Sequence, residues 1–152
     1  MSKYLSRSKR LDNAVAPLGD AQHTVQMILD VVEEQEVPRW ELLDNAVSII
    51  ESAQAEVEEL KEELESWYDN LPENFQNGMK GDELQEAIDA LDNLSDSMNE
   101  ATSLLSDLVK EADKSAKGKH PMDLDEAKDT LQSVIDSLDE MSCPDVMFPG
   151  MY

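Results

Sequence analysis

The chain has 152 residues, and its 12 Lys and Arg residues face 35 Asp and Glu residues, which leaves a formal net charge of -23 at pH 7. This length suits one domain with one core, and the single cysteine, Cys143, excludes an internal disulfide framework. A hydrophobic content of 40% excludes wholesale disorder. Because no apolar run follows the basic N-terminus, we expect a cytoplasmic protein without a membrane partner.

Charge and apolar content divide the chain into three predicted segments. Residues 1–19 are a basic N-terminal tail, whose first ten residues hold Lys3, Arg7, Lys9 and Arg10 and no acid. Residues 20–142 are an acidic helical bundle. Residues 143–152, CPDVMFPGMY, are an apolar C-terminal tail with two prolines, which make it too irregular for a helix.

Four apolar series with helical spacing follow one another along the bundle segment. The last three alternate gaps of three and four residues, which is the heptad pattern of helices that pack against one another. The four series are Ala21, Val25, Ile28 and Val32; Leu43, Ala46, Ile50, Ala53, Val57, Leu60, Leu64, Trp67 and Leu71; Leu84, Ala87, Leu91, Leu94, Met98, Ala101, Leu105, Leu108 and Ala112; and Leu124, Ala127, Leu131, Val134, Leu138 and Met141.

Residues typical of helix starts precede each series. Asp20 can cap the first helix, Pro38 suits the first position of the second, and Asp82 and Asp123 each precede a Gln or Glu by three residues, as in a capping box. Helices one and two have almost no linker between them, so they form either a tight corner or one kinked rod at Pro38, and we favour the corner. The sequence therefore predicts an all-α fold: an elongated antiparallel helical bundle or coiled-coil hairpin with about four helices, the two long ones each about 45 Å.

No set of residues with the spacing of a catalytic or metal site is evident, so we expect no enzyme activity and no cofactor. His23 and His120 are the two candidate bases for a nucleophile, and neither has a partner in sequence. Bundle metal sites use Glu-x-x-His, which is absent. The pairs Glu33/Glu36, Glu41/Asp44 and Glu83/Glu86 match the spacing of magnesium-dependent all-α nucleotide pyrophosphohydrolases, but any acidic helix produces such pairs.

The acidic residues are concentrated on the predicted long helices. Between Asp20 and Leu108 there are 24 acidic residues and three basic ones. The outward positions form two negative ridges, which are our candidate partner-binding residues: Glu51, Glu58, Glu59, Glu62, Glu65 and Asp69 on one helix, and Glu86, Asp89, Asp92, Asp96, Glu100 and Asp107 on the next.

The magnitude of this charge is comparable with that of DNA. Duplex DNA carries about one charge per 1.7 Å of axis, so ~45 Å of duplex holds roughly 26 charges. A rod with these ridges can imitate DNA and enter the basic cleft of a nucleic-acid enzyme, whereas repulsion disfavours direct DNA binding by the bundle. The alternative is that the ridges only keep the bundle soluble.

Residues 67–76, WYDNLPENFQ, followed by GDELQEAIDAL, resemble a helix-turn-helix hairpin of small acidic phage and prophage proteins. The resemblance covers about a quarter of the chain and implies a phage context, without implying an activity. Asn70 and Pro72 are expected to end the second helix, and Phe75 to fold back beneath the hairpin.

Three functions remain open from the sequence. In a phage context, the first is a DNA-mimicking inhibitor of a host restriction, CRISPR or repair enzyme. The second is a self-associating phage structural or assembly protein, a homo-oligomer. The third is magnesium-dependent nucleotide hydrolysis.

Overall fold

The structure is a computed structural model that describes residues 6–118, 122–144, 146 and 148. All regular secondary structure in these residues is helical, which confirms the all-α class. The α-helices are α1 (Arg7–Val15), α2 (Leu18–Glu33), α3 (Leu43–Asn70), α4 (Glu73–Gln76), α5 (Met79–Ala116) and α6 (Leu124–Ser142), and a 3-10 turn (Trp40–Leu42) precedes α3. No helix in this part of the chain is long and apolar enough to cross a membrane.

The longer helices contact one another in a ring. α3 packs against α5, α5 against α6, α6 against α2 and α2 against α3, while α1 lies on α3. Hydrogen bonds pair Gln54 with Ser95 and Lys61 with Asp92 across the α3–α5 contact. Since the residue number falls along α5 as it rises along α3, the two helices run in opposite directions where they touch.

The larger part of the core comes from the apolar faces predicted from the heptad spacing. Of the α3 series, the seven residues from Leu43 to Leu64 are buried, whereas Trp67 and Leu71 are only partly buried. The α5 series is buried from Leu84 to Leu108. Each fully buried leucine contributes about 1.5–3 kcal/mol, so these faces are the main stabilising element of the fold.

Helix α1 lies within residues 1–19, which the sequence assigns to a basic tail. Leu11, Ala14 and Val15 are buried in the core, and the Ser6 hydroxyl caps the helix by accepting a hydrogen bond from the Lys9 amide at 3.1 Å. The apolar face of α1 is too short to form a heptad series of its own. The structure shows that this face is part of the core, because α3 covers it.

One of the four predicted helix starts is confirmed, and Asp20 and Asp82 are two of the three that differ. The prediction at Asp123 is confirmed, since its carboxylate accepts a hydrogen bond from the Glu126 amide. Asp82 and Asp20 are not caps, because α5 begins three residues before Asp82 and α2 begins two residues before Asp20. The Asp82 amide already donates to the carbonyl of Gly78, so the helix has formed upstream of it.

A sharp corner connects α2 to α3. Gln35 adopts a left-handed conformation with φ of 61°, and the amides of Gln35 and Glu36 donate to the carbonyls of Val32 and Val31. This pattern is a Schellman motif, which satisfies the last carbonyls of a helix. Pro38 lies in the connection before the 3-10 turn, so its prediction as a first helical residue is wrong.

Residues 71–78 connect α3 to α5, and we call them the tip turn. The Gln76 side-chain amide donates to the carbonyl of Tyr68 at 2.8 Å and so satisfies the end of α3. A Cβ on Gly81 would lie 2.0 Å from the carbonyl oxygen of Gln76, so only glycine allows the turn to pack this closely against α5. Phe75 is 53% exposed, and the expectation that it folds back beneath the turn is wrong.

The C-terminal tail predicted at residues 143–152 is described only in part. Cys143 is exposed, while Val146 and Phe148 are partly buried against the core. Residues 145, 147 and 149–152 lie outside the described residues, as do residues 1–5 and His120.

Substitution of Gly81 by alanine should destabilise the fold, because the added Cβ would meet a backbone carbonyl that cannot move without distorting the turn. We expect Gly81→Ala to lower the free energy of unfolding by about 2 kcal/mol, a typical value for overpacking. Chemical denaturation followed by circular dichroism measures this change.

Gly19→Ala in α2 is the control, since a Cβ at that position would have no neighbouring atom within 4 Å, and it should be neutral or stabilising. Equal effects of the two changes would contradict the packing argument.

Candidate functional site

Five of the candidate carboxylates on α3 form one stripe. They are Glu51, Glu58, Glu62, Glu65 and Asp69, and their gaps of seven, four, three and four residues keep them on one side of a helix with 3.6 residues per turn. All except the half-buried Glu58 are exposed. We call these five residues the α3 stripe.

Four candidate carboxylates on α5 form a second stripe. Asp89, Asp96, Glu100 and Asp107 are separated by seven, four and seven residues, and all are exposed. We call them the α5 stripe. Helical geometry places Asp92 about 60° to one side of this stripe and the exposed Glu86 about 60° to the other.

Lys61 lies between the two helices. Its ammonium nitrogen is 2.7 Å from Asp92 Oδ1 on α5 and 4.0 Å from Glu58 Oε2 on α3. The hydrogen bond to Asp92 raises the pKa of Lys61 above its ordinary value, so the ammonium stays charged. Lys61 therefore pairs with one carboxylate from each helix, and its position shows which side of α3 contacts α5.

A polar network continues along the same contact. Ser95 is only 2% exposed, accepts a hydrogen bond on Oγ from the Gln54 amide at 3.3 Å and donates one to Glu58 Oε1. The Gln54 amide also lies 3.3 Å from the Ser95 carbonyl. This network was not predicted from the sequence. The sequence feature that could have predicted it is the spacing of Leu91, Ser95 and Met98, which places a serine on the buried face of α5.

The opposite side of α3 is occupied by the basic residues of α1. Both guanidinium nitrogens of Arg10 bond to the Glu63 carboxylate, and Arg7 Nε lies 3.5 Å from the same group. The guanidinium of Arg7 is also 5.1 Å from the centre of the Trp67 ring, and Lys80 Nζ is 5.7 Å from it. These cation–π contacts lie on the ring of Trp67, which is partly buried at the edge of the core.

These contacts shift the pKa values of both partners. The hydrogen bond from Arg10 lowers the pKa of Glu63, and its bond to Glu63 raises the pKa of Arg10. The pair is therefore charged throughout the neutral range. Arg7 and Arg10, two of the described basic residues near the N-terminus, are paired with Glu63 of the same protein. They are therefore not available to contact nucleic acid.

Glu59 is separate from the other candidate residues. It lines a groove together with Arg10, Asn13, Glu56 and Leu60, on the side of α3 that faces α1. Nine of the twelve candidates are thus exposed on α3 and α5 away from α1, while Glu58 and Asp92 are half-buried at the contact between the two helices. The prediction of one ridge per helix also includes Glu59, which belongs to another surface.

The described histidine and cysteine side chains lie outside these stripes and on separate parts of the fold. His23 and Cys143 are exposed on α2 and after α6. In the described ranges, no three His, Cys, Asp or Glu side chains are grouped in a way that could hold a metal ion, including those of the Glu-x-x-Glu and Glu-x-x-Asp pairs.

Comparisons of the chain with protein-family models, with curated proteins and with solved structures found no match.

The depressed pKa of Glu63 predicts how its ion pair contributes to stability at each pH. Such a carboxylate stabilises the fold above its unfolded pKa of about 4.3, and the contribution disappears as the pH falls through the lower folded value. Glu63→Gln should therefore cost up to about 1 kcal/mol at pH 7 and progressively less below about pH 4. Thermal or urea unfolding at several pH values measures the difference.

Glu62→Gln is the matched control, since it removes the same charge from an adjacent exposed position on α3. It should leave stability unchanged or slightly improved, because it reduces repulsion within the α3 stripe. Identical stabilities of the two variants at pH 7 would show that the Arg10–Glu63 pair does not stabilise the fold.

Proposed function

We propose that this chain is a non-enzymatic binding protein that inserts its acidic surface into the basic cleft of a nucleic-acid-processing or defence protein. The observation that carries the proposal is the side-by-side placement of the α3 and α5 stripes on the solvent side of one helix pair. We also propose that the full architecture is an elongated antiparallel bundle of four principal helices built around α3 and α5.

The length of this surface and the net charge of the whole chain support a comparison with DNA. At 1.5 Å per residue, the 28 residues of α3 span about 42 Å. A duplex of ~42 Å carries roughly 25 phosphate charges, and the chain has a formal net charge of -23. A basic cleft that accepts a short duplex therefore meets a similar charge on a similarly long rod.

Three of the protein's own cations bind carboxylates at the edges of this surface, whereas Lys110 lines a groove with Glu51 and Asp107 at one end of it. Arg7 and Arg10 bind Glu63 on the α1 side of α3, and Lys61 bridges Glu58 and Asp92 at the helix contact. The remaining stripe residues are exposed. A partner's lysines and arginines can approach them without first displacing a buried contact.

The resemblance of residues 67–76 to small acidic phage proteins suggests the biological setting. In that setting the chain acts in the cytoplasm of the host, and its target is a host enzyme that binds DNA or RNA through a basic cleft. A second candidate is a self-associating phage assembly protein, which is favoured by large apolar side chains at the surface, such as Val37, which is 90% exposed.

Removal of charge from the two stripes should weaken partner binding specifically. We expect a variant with Glu62→Gln, Glu65→Gln, Asp89→Asn and Asp96→Asn to bind a panel of basic DNA-cleft nucleases at least tenfold more weakly than the unmodified chain, because each removed charge reduces attraction to the cleft. Displacement of a fluorescent DNA duplex from each nuclease measures the affinity. Binding by the unmodified chain should also weaken as salt rises.

A matched variant with Glu33→Gln, Asp129→Asn, Asp136→Asn and Asp139→Asn removes the same charge from exposed positions on α2 and α6. It should retain most of the affinity. Equal loss in both variants would mean that total charge, not the stripes, governs binding. If the chain displaces no duplex at low salt and instead shows a mass that rises with concentration in light scattering, the assembly function replaces the proposal.

A further inference from the structure

We propose that the tip turn and the adjoining ends of α3 and α5, which we call the tip, carry a second contact surface, and that its occupant is a basic amphipathic helix of the partner. The surface consists of the apolar side chains of Phe75 and Met79 and a rim formed by Asp69, Glu73 and Asp82. This inference rests on the proposed function, because it assigns a chemical character to the same basic partner.

Two exposed apolar side chains lie close to each other in sequence at the tip. The described residues include five large apolar side chains with substantial exposure: Met27, Val37, Phe75, Met79 and Leu124. Phe75 is 53% exposed and Met79 is 78% exposed, and only four positions separate them. The other three belong to different elements of the fold.

The tip turn holds these side chains outward in a defined backbone. Its last helical residue, Gln76, bonds through its side chain to the end of α3, and the absence of a Cβ on Gly81 lets the turn sit directly on α5. The Phe75 amide also donates to the carbonyl of Pro72 at 2.8 Å. A surface ordered before binding loses less entropy when a partner covers it.

The rim of this surface carries three carboxylates beside one cation, Lys80, which lies over the Trp67 ring. Asp69, Glu73 and Asp82 are all exposed, and Asp69 is the last member of the α3 stripe, so the tip is continuous with the acidic surface. An apolar centre with carboxylates around it complements an amphipathic helix whose apolar residues are flanked by lysine and arginine.

Helix α1 shows that this protein already accepts such a helix elsewhere. Its Arg7 and Arg10 bind Glu63 of α3, while Leu11 and Val15 of the same helix are buried. The same combination of arginine–carboxylate pairs and apolar burial is available at the tip to a helix from another protein.

The test uses two synthetic 18-residue peptides of equal positive charge. One has lysine and arginine beside a leucine face, and in the other every leucine is replaced by serine. Their binding to the unmodified chain is measured by fluorescence anisotropy at low salt. We expect the leucine peptide to bind at least tenfold more tightly, because only it can cover Phe75 and Met79.

The double variant Phe75→Ser with Met79→Ser should abolish this preference and leave binding of the serine peptide unchanged. The control is Val37→Ser with Leu124→Ser, which replaces exposed apolar residues outside the tip and should keep the preference. Circular dichroism of each variant verifies that the helices remain folded; since all four side chains are substantially exposed, we expect unchanged unfolding midpoints.

Several outcomes would overturn the inference. One is equal affinity of the unmodified chain for both peptides, and another is retention of the preference after the tip is changed. Conversion of an oligomer to a monomer by the tip variant, with the peptide preference intact, would identify a second copy of this chain as the occupant. If neither peptide binds at low salt, the acidic surface itself does not bind basic partners and the proposed function fails as well.

Discussion

The contact between α3 and α5 must hold together two helices that both carry stripes of negative charge. Apolar burial provides the attraction, since the faces from Leu43 to Leu64 and from Leu84 to Leu108 are removed from water. The repulsion acts at the surface, where water and salt screen charges over about 8 Å at physiological ionic strength. Because burial is the stronger effect, the fold tolerates an acidic surface on one side of its main helix contact.

Lys61 and Arg10 are placed where they relieve this repulsion. Lys61 bridges a carboxylate from each helix at the α3–α5 contact, and Ser95 extends the polar network beneath it. On the other side of α3, Arg10 binds Glu63 next to Glu56 and Glu59. Charge is thus neutralised at the contacts between helices and retained on the solvent side of the pair.

This division is relevant to function because a binding surface needs groups that are free to exchange water for a partner. The exposed members of the stripes have this property, whereas Glu58 and Glu63 are already engaged within the fold. The exposed apolar residues of the tip turn adjoin the same surface at Asp69. Together they suggest that the proposed partner meets a long electrostatic contact that ends in a small apolar one.

Local sequence patterns determined a large part of the fold. The heptad spacing predicted most of the buried residues of α3, α5 and α6, because side-chain direction in a helix repeats every 3.6 residues whatever the helix packs against. It was wrong at the ends of the series, where Leu124 is 46% exposed and Trp67, Leu71 and Ala112 are only partly buried. The cap at Asp123 was predictable for a similar reason, since its carboxylate bonds to an amide only three residues away. The concentration of acid on the long helices was also evident from the sequence.

Only the tertiary structure decided which surfaces meet. The bond of Lys61 to Asp92 and that of Arg10 to Glu63 join residues 31 and 53 positions apart, so they depend on the register and direction of helix pairs. The same is true of the burial of α1, whose apolar face is too short to be recognised without α3 to cover it. Spacing along one helix specifies an apolar face, whereas the neighbour of that face is set by packing between helices.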